Sequence, residues 1–248
     1  MTNQVKNEVE LDRIRTSGKM LAHVLRYLTP MTVAGVTTRE LDHIAADELK
    51  RLGGQPAFLG YEGYPAVICI SVNDEIVHAI PGERKIKNGD IVGLDFGVNF
   101  EGMITDGAVT VPVDDVSQEA RRLLRATREA LYCGIDQVRV DGRIGDISHA
   151  IEQRLRADRL SVIEELGGHG VGHKLHEDPI ILNYGRSGTG MRLKAGMTIA
   201  IEPMATLGRK EIFIADDGWT ILTRDGGLSA QFEHTVLVTD DGFEILTD

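Results

Sequence analysis

Four acidic residues lie inside segments whose other residues favour buried β-strands. They are Asp95, Asp106, Glu202 and Glu233. Burial makes an ionised carboxylate costly, and neighbouring carboxylates also repel one another, unless a cation lies between them. Each residue alone is about as well explained as an exposed strand position or as one half of an ion pair. The four together predict a site that binds divalent cations.

Two of these acids are predicted to share one face of a β-hairpin. Residues 90–96 and 103–113 have the composition of two strands joined by a short turn. A turn centred on residues 100 and 101 places Asp95 directly opposite Asp106, and opposed residues have Cβ atoms about 5 Å apart. A cation between the two carboxylates would remove their mutual repulsion.

Histidines are concentrated in a glycine-rich segment that spans residues 167–176. His169 and His173 have the i, i+4 spacing of a helical zinc site, but the glycines around them disfavour a helix. We therefore predict a loop that presents His169 and His176 separately and leaves His173 in solvent. The glycine spacing matches neither a dinucleotide-binding nor a phosphate-binding fingerprint.

The charge balance indicates two ions rather than one. Four carboxylates carry a charge of about −4, which two divalent cations would neutralise. A ligand set of carboxylate oxygens with one imidazole suits Mn, Fe(II) or Co better than a sulfur-rich zinc site does. Two ions about 3.5–4 Å apart can share a water and lower its pKa towards neutrality.

The elements that must position these residues occur in a repeated order. Apolar residues at helical spacing predict one helix over residues 11–28 and another, opened by the capping box of Thr37 and Glu40, that stops at Gly53. A third helix follows Ser117, and a fourth carries Ile147. Two helices followed by strands, occurring twice, predict an α+β fold with two similar halves. The predicted strands are 66–72, 75–80, 90–96, 103–113, 197–202, 211–215, 219–223 and 231–239.

The composition bounds the class of protein. The chain has 248 residues, a formal charge of −11 and two cysteines. The acidic balance argues against non-specific binding to nucleic acid or anionic membranes. No paired-cysteine zinc motif, no signal-peptide core and no apolar run of about 18 residues is present in the sequence. We expect a monomeric cytoplasmic protein.

The candidate ligands and the motifs around them resemble one known family. The set of four acids with His169 is similar to the five metal ligands of the pita-bread metallopeptidases. Longer motifs, over nearly the whole chain, narrow the resemblance to the type I methionine aminopeptidases. These motifs are Gly60-Tyr61-Glu62-Gly63-Tyr64-Pro65, Ser71-Val72-Asn73-Asp74-Glu75, His78-Ala79-Ile80-Pro81, Gly167-Gly168-His169-Gly170-Val171-Gly172, His176-Glu177-Asp178-Pro179, Ile201-Glu202-Pro203-Met204 and Ser229-Ala230-Gln231-Phe232-Glu233-His234-Thr235.

The resemblance implies a fold and a function. The fold is the α+β pita-bread (creatinase/aminopeptidase) fold, with two pseudo-symmetric halves around curved antiparallel sheets and helices outside. One catalytic domain is expected over residues 1–248, with disorder confined to about the first eight residues. The activity implied is hydrolysis of the N-terminal methionine from nascent polypeptides with a small second residue, with transient ribosome contact. Two divalent ions per chain (Co, Mn, Fe(II) or Zn) would serve as cofactors.

The resemblance also implies a role for each metal ligand. Asp95 would bind one ion through both oxygens, and Asp106 and Glu233 would bridge the two ions. His169 and Glu202 would complete the coordination of the other ion. A hydroxide shared by the ions would attack the carbonyl carbon, while Glu202 moves its proton.

Two further histidines and an apolar pocket complete the implied site. His176 would stabilise the oxyanion that develops on the scissile carbonyl. His78 would contact the amide nitrogen of the second residue. The thioether of the substrate would lie among aromatic and sulfur-containing side chains. The residues implied for this methionine pocket are Tyr61, Tyr64, Cys69 and Trp219.

Three positions depart from the family pattern. Leu175 replaces a usual Phe, Ala79 replaces a usual Gly, and Phe58 stands where small residues or cysteine are common. These departures predict a reshaped methionine pocket with unchanged chemistry.

Two other functions are compatible with parts of this pattern. A proline-specific relative, such as an Xaa-Pro aminopeptidase or prolidase, shares the ligand set but usually carries a large additional N-terminal domain. A metal-free binding protein of the same fold would have no reason to keep five ligands and two active-site histidines together. We therefore expect an enzyme.

Overall fold

The computed structural model describes residues 5–248, whose helices occur in two pairs. Helices α1 (Glu8–Leu28) and α2 (Thr38–Leu52) precede one group of strands. Helices α3 (Gln118–Ile135) and α4 (Ile144–Ala157) precede another. The repeated order confirms the predicted α+β arrangement. No helix within residues 5–248 has both the length and the apolar composition that crossing a bilayer requires.

Helix α1 begins three residues earlier than predicted because Asn7 caps it. The Asn7 side chain accepts a hydrogen bond from the Glu10 backbone N–H, and the Glu10 carboxylate accepts one from the Asn7 N–H. Such caps stabilise a helix by about 1 kcal/mol. The disorder expected over the first eight residues falls partly on residues 1–4, which lie outside the described residues. Lys6 and Asn7 differ from that expectation, since both make defined contacts.

The first half contains an antiparallel sheet of four strands, in which β4 pairs with β1, β2 and β5. The short strand β3 instead joins a small sheet with strands of the second half. The strands of this half are β1 (Gln55–Pro56), β2 (Ile68–Val72), β3 (Glu75–Val77), β4 (Ile91–Phe100) and β5 (Met103–Pro112).

The register of the β4–β5 hairpin differs from the prediction by two residues. Its turn is formed by Glu101 and Gly102, both with positive φ, as a two-residue hairpin turn requires. Asp95 therefore lies opposite Ala108 rather than opposite Asp106. A shift of two residues preserves the face of each side chain, because side chains alternate with a period of two. The two acids still share one face, as diagonal rather than direct neighbours.

The second half is built around a five-stranded antiparallel sheet in the order β15-β14-β9-β7-β8. Two three-stranded sheets accompany it, β13-β10-β6 and β11-β12-β3. The strands are β6 (Ser161–Val162), β7 (Gly167–Gly170), β8 (Glu177–Leu182), β9 (Thr198–Ile201), β10 (Met204–Thr206), β11 (Ile212–Ile214), β12 (Ile221–Thr223), β13 (Ser229–Gln231), β14 (His234–Thr239) and β15 (Gly242–Ile245).

Two predictions for this half are corrected. The glycine-rich segment expected as a loop begins as strand β7, whose neighbours β8 and β9 supply backbone partners on both sides. Gly168 is required there, since a Cβ atom would lie 2.2 Å from the Ala200 carbonyl oxygen. The single strand expected over residues 231–239 is interrupted, and Glu233 lies in the break.

The two halves have separate hydrophobic cores and meet along strand β5. One core packs α1 and α2 against β2, β4 and β5, and the other packs α3 and α4 against β9 and β14. At the junction, the Glu233 N–H donates to the Ala108 carbonyl at 2.9 Å. The Asp106 N–H donates to the Thr235 hydroxyl, also at 2.9 Å. These bonds fix the acids of the first half beside those of the second.

Candidate metal centre and substrate cavity

A single cavity of about 340 Å³ contains every residue that the sequence analysis assigned to the site. Its walls come from both halves of the chain, so the fold gathers residues that are far apart in sequence. Phe58, Glu62 and Leu175 line it as well. The predicted residues in the cavity are Tyr61, Tyr64, Cys69, His78, Asp95, Asp106, His169, His176, Glu202, Trp219 and Glu233.

The candidate metal ligands are supplied by five different strands or strand ends. Asp95 lies on β4 and Asp106 on β5. His169 lies on β7, Glu202 directly follows β9, and Glu233 directly precedes β14. Strands position these side chains firmly, since each backbone is fixed by its ladder of hydrogen bonds.

The donor atoms of these residues converge. His169 Nε2 lies 3.5 Å from Glu202 Oε1 and 3.8 Å from Asp106 Oδ2. Donor atoms of Asp106, His169 and Glu233 all lie within 4.8 Å of one another. Asp95 is 7% exposed, Asp106 4% and Glu233 2%, so the carboxylates are almost fully removed from water.

Burial makes the charged state of these acids unfavourable. It raises the pKa of Asp95 to about 7. Burial first, and then the neighbouring acids, raise the pKa of Asp106, Glu202 and Glu233 well above the ordinary carboxyl range. A cluster with these properties requires either bound protons or a bound cation.

Unpartnered oxygens indicate that a cation fits this cluster. Among the described residues, neither Asp95 Oδ1 nor Glu233 Oε1 has a hydrogen-bond partner, although both are buried. Such orphaned acceptors are rare in protein interiors unless they bind water or an ion. Carboxylate oxygens with one imidazole form a donor set suited to divalent transition metals.

The tautomer of His169 also fits metal binding. Its Nδ1 lies 2.9 Å from the Gly170 carbonyl oxygen, which can only accept, so Nδ1 carries the proton. The unprotonated Nε2 therefore faces Asp106 and Glu202. Burial lowers the pKa of His169 to about 3, which keeps the ring neutral and its lone pair available.

Two further histidines stand beside the acidic cluster. The His176 ring lies 4.3 Å from that of His169 between centroids, and its Nδ1 is 2.8 Å from the Tyr61 hydroxyl. His78 directly follows β3 and has a φ of 60°, a strained value that is more common at functional sites than elsewhere. Burial lowers the pKa of His78 to about 4, so this ring is neutral at pH 7.

The opposite end of the cavity is apolar and aromatic. The rings of Tyr64 and Trp219 pack edge to face, with centroids 5.1 Å apart, and Phe58 packs edge to face on Tyr64 at 6.5 Å. Tyr64 is held in place because its hydroxyl donates to the Ala79 carbonyl at 3.0 Å. Cys69 completes this end. Its side chain is adjacent to the acids, since Cys69 pairs with Asp95 across strands β2 and β4.

The match to a protein family agrees with this geometry. A model of metallopeptidase family M24 matches residues 12–240 of the chain. The chain belongs to metallopeptidase family M24. Its cofactors are accordingly divalent metal ions. Among the described residues, Asp106, His169 and Glu233 form a buried cluster that could hold a metal ion.

Within family M24, the chain is similar over its full length to proteins named methionine aminopeptidases. The chain is 45% identical over 243 residues to a methionine aminopeptidase of Clostridium perfringens, covering 98% of each chain. It is 43% identical over 242 residues to methionine aminopeptidase 1 of Bacillus subtilis, again with 98% coverage of each. The crystal structure of a methionine aminopeptidase from Thermotoga maritima superposes with a TM-score of 0.98 at 41% identity, covering 100% of both chains.

Proteins of much lower sequence identity share the same fold. Prolidase from Pyrococcus furiosus superposes with a TM-score of 0.79 at 21% identity, and the match covers 99% of this chain and 66% of that one. At that identity the likeness concerns the fold alone. It confirms the predicted pita-bread architecture of this M24 peptidase.

Two of the three departures from the family pattern, Phe58 and Leu175, lie at the apolar end. Phe58 and Leu175 are both buried in the small apolar cluster that includes Tyr64 and Cys69. Phe58 is accommodated because Gly97 lies beneath it, where a Cβ atom would come within 2.6 Å of the ring. Ala79 is buried at 3% exposure next to His78. The predicted reshaping of the methionine pocket therefore concerns two residues, Phe58 and Leu175, that belong to the same apolar cluster.

Sequence reasoning missed two residues that support the M24 site. Gln231 donates from Nε2 towards Glu202 and Glu233, at 3.4 and 3.3 Å. The Lys6 side chain is fully buried and pairs with Glu177, the residue after His176, at 3.2 Å. The position of Gln231 two residues before Glu233 could have suggested it, because alternate strand residues share a face. No local pattern connects Lys6 with residue 177.

His173 is less free than predicted. It is one of the exposed residues of the segment, yet its Nε2 lies 2.8 Å from Glu10 Oε1, and its Nδ1 lies 3.7 Å from Glu177 Oε1. With Lys6, these contacts attach the loop between β7 and β8 to the N-terminal part of the chain. That loop carries His176.

Proposed function

We propose that this M24 peptidase is an aminopeptidase that removes the N-terminal methionine from polypeptides. One observation carries the proposal: a single cavity combines a buried carboxylate–imidazole cluster with an apolar pocket lined by aromatic rings and Cys69. The relatives that cover the full chain at 38–45% identity are named methionine aminopeptidases. The proline-specific alternative has support only at the level of the fold.

The acidic cluster would hold two divalent ions. In this proposal Asp95 would hold one ion, Asp106 and Glu233 would serve both ions, and His169 and Glu202 would hold the other. The count follows from charge, since two dications neutralise four carboxylates. Co, Mn, Fe(II) and Zn are the candidate ions. Bound ions of this kind supply Lewis acidity, which polarises a carbonyl oxygen and lowers the pKa of a coordinated water.

The chain's own residues would orient the substrate and move protons. The substrate thioether lies against Tyr64, Trp219 and Cys69, where sulfur–aromatic contacts are favourable. Glu202 would accept a proton from the attacking water and deliver it to the leaving amine. Neighbouring cations favour the ionised carboxylate that this role requires. Proton transfer of this kind contributes about 10²–10⁴-fold to rate.

The two histidines would act on opposite sides of the scissile bond. The Tyr61 hydroxyl and His176 Nδ1 are hydrogen-bonded at 2.8 Å. In this proposal the hydroxyl is the donor, which leaves the ring proton on Nε2. This Nε2–H can then donate to the carbonyl oxygen as negative charge develops there. His78, neutral at pH 7, would accept a hydrogen bond from the amide nitrogen of the second residue. The natural substrates in this proposal are nascent polypeptides with a small second residue, processed in the cytoplasm by a monomer in transient contact with ribosomes.

Peptide turnover with defined metals tests the proposal. We expect Met-Ala-Ser to be cleaved after loading with stoichiometric Fe(II), Mn, Co or Zn, and Met-Leu-Ser to be cleaved much more slowly. Preference for Ala-Pro-Ser would overturn the methionine assignment in favour of a proline-specific enzyme. Absence of metal binding up to millimolar Mn or Co would instead favour a non-catalytic binding protein.

A further inference from the structure

A second cavity, of about 690 Å³, opens directly beside the catalytic one. Four residues line both cavities: His78, His169, His176 and Glu202. In the proposed function these are the residues around the scissile bond, and the methionine pocket lies on one side of them. A polypeptide substrate must therefore continue on the other side, into the second cavity.

One wall of this second cavity, here called the groove, is formed by alternate residues of strand β8. Asp178, Ile180 and Leu182 line it. Residues two apart share one face of a strand, so these side chains form a single row that starts next to His176. Within residues 5–248, β8 is the last strand of its sheet and pairs with β7 alone.

Three further apolar residues line the groove, Val77, Leu166 and Met204. Charged residues, including Glu165 and Lys174, line it as well. An extended chain advances about 3.3 Å per residue, as β8 does, so a substrate that runs along β8 with its second residue beside His176 reaches Ile180 at about its sixth residue.

The side chain of Ile180 lines the groove but does not pack into any hydrophobic core of the described residues. Its relative exposure is 68%, the highest among the large hydrophobic residues for which the structure describes exposure. It makes no contribution to the buried clusters, whereas the alternate face of the strand contributes Ile181, at 1% exposure, to a core. Apolar surface that lines a groove and is exposed to this degree commonly marks a site of binding.

We infer that the groove binds the fourth to sixth residues of the substrate in an extended conformation and favours apolar side chains there. The inference rests on the proposed function, because that function places the scissile bond at the boundary of the two cavities. The enzyme would thus prefer apolar substrate residues at positions beyond the first two, and Ile180, with Leu182 beside it, would be the main determinant of this preference. Short peptides do not reach this row.

Three peptides test the inference on the metal-loaded enzyme. They are Met-Ala-Ser, Met-Ala-Ser-Leu-Leu-Leu and Met-Ala-Ser-Ser-Ser-Ser, which share the residues at the scissile bond. We expect kcat/KM for the leucine hexapeptide to exceed that for the serine hexapeptide by about tenfold. Ile180→Ser should abolish most of this difference and leave turnover of Met-Ala-Ser unchanged.

Ile214→Ser provides a matched control. Ile214 is also an exposed isoleucine, at 60%, on the edge strand β11, and it lines neither cavity. We expect this variant to retain the full preference for the leucine hexapeptide. Loss of the preference in both variants would mean that it does not arise in the groove. Because both side chains are exposed, neither substitution should affect folding.

A binding measurement separates recognition from turnover. The labelled product peptide Ala-Ser-Leu-Leu-Leu, which lacks an N-terminal methionine to be cleaved, should bind the metal-loaded enzyme about tenfold more weakly after Ile180→Ser, as measured by fluorescence anisotropy. Equal kcat/KM for the two hexapeptides, or a preference that survives Ile180→Ser, would overturn the inference while Met-Ala-Ser turnover leaves the proposed function intact. Failure to cleave any of the three peptides would count against the proposed function itself.

Discussion

The two ends of the catalytic cavity are stabilised in opposite ways. At the acidic end, side chains of Asp95, Asp106 and Glu233 are buried together, and two of their oxygens have no hydrogen-bond partner among the described residues. At the aromatic end, Tyr64, Trp219 and their neighbours pack as they would in any hydrophobic core. The acidic end therefore opposes folding until its charge is neutralised, whereas the aromatic end favours folding whether or not substrate is present.

This contrast predicts different effects for substitutions at the two ends of the cavity. Substitutions at the acidic end should alter metal content and chemistry, with little loss of packing. Substitutions at the aromatic end should alter stability and substrate affinity, with the chemistry preserved. The following experiments test this division, beginning with the largest expected effect.

Asp106→Ala should remove metal and activity together. Asp106 is proposed to bridge both ions, so its loss leaves too few ligands and too little negative charge for either. We expect kcat/KM for Met-Ala-Ser to fall to background and bound metal, measured by mass spectrometry after dialysis, to fall well below that of the unmodified chain. Retention of stoichiometric metal would contradict the bridging role.

His176→Ala should lower kcat by about 10²–10³-fold and leave metal content nearly normal. This is the magnitude found when one oxyanion donor is removed. His176 lies beside the cluster but is not a proposed ligand, so this variant is the matched control for Asp106→Ala. Equal metal loss in the two variants would show that the roles are wrongly divided.

The buried carboxyl of Asp95 should make the metal-free protein lose stability, relative to Asp95→Asn, as pH rises from about 4 to about 7. Burial raises the folded-state pKa of Asp95 to about 7, above its ordinary value, so this group binds more protons in the folded state than in the unfolded state in this range. Burial lowers the pKa of His78 and His169, which acts in the opposite direction, but it does so in both proteins. The difference in Tm between the two proteins, measured by calorimetry in chelator, should therefore show the contribution of Asp95. A Tm of the unmodified chain that rises relative to that of Asp95→Asn over this range would contradict the account of the acidic end.

Leu175→Phe should have the smallest effect, and it should be confined to the aromatic end. The cluster around Leu175 already contains Phe58, so a larger side chain overpacks it, which costs about 1–3 kcal/mol. We expect a lower Tm and a severalfold higher KM for Met-Ala-Ser with normal metal content.

The double variant Phe58→Leu with Leu175→Phe exchanges the two side chains and conserves their total volume, so it should recover much of the lost Tm. If Leu175→Phe changes neither kcat nor KM, the reshaping of the pocket inferred from these two positions is wrong.

The parts of the fold that follow local rules could be predicted from sequence. Helix α2 begins after the cap at Thr37 and ends at Gly53, as predicted, because both signals depend only on neighbouring residues. The hairpin that carries Asp95 and Asp106 was predicted with the correct face but the wrong register. The two registers differ only in which residues form the turn. The prediction centred the turn on residues 100 and 101, whereas the structure forms it from Glu101 and Gly102, both with positive φ.

Features that depend on distant partners could not be predicted. Strand β7 is rich in glycine and has little intrinsic preference for a strand, and its neighbours β8 and β9 determine it. The burial of Lys6 depends on Glu177, which lies 171 residues away. The candidate ligands could be predicted, because four of them are acids in segments that favour buried strands and His169 lies in a histidine-rich segment. The role of each ligand came only from the resemblance to a known family.

The attachment of Lys6 and Glu10 to the β7–β8 loop has a practical consequence for anyone who shortens or tags this chain. Both residues precede or open the first helix, far in sequence from the cavity, and would be natural candidates for removal in an expression design. A version that starts after Glu10 would lose both ion pairs to the loop that carries His176. Such a version could bind metal normally and still turn over slowly, and its weak activity would be a property of the truncation rather than of the enzyme.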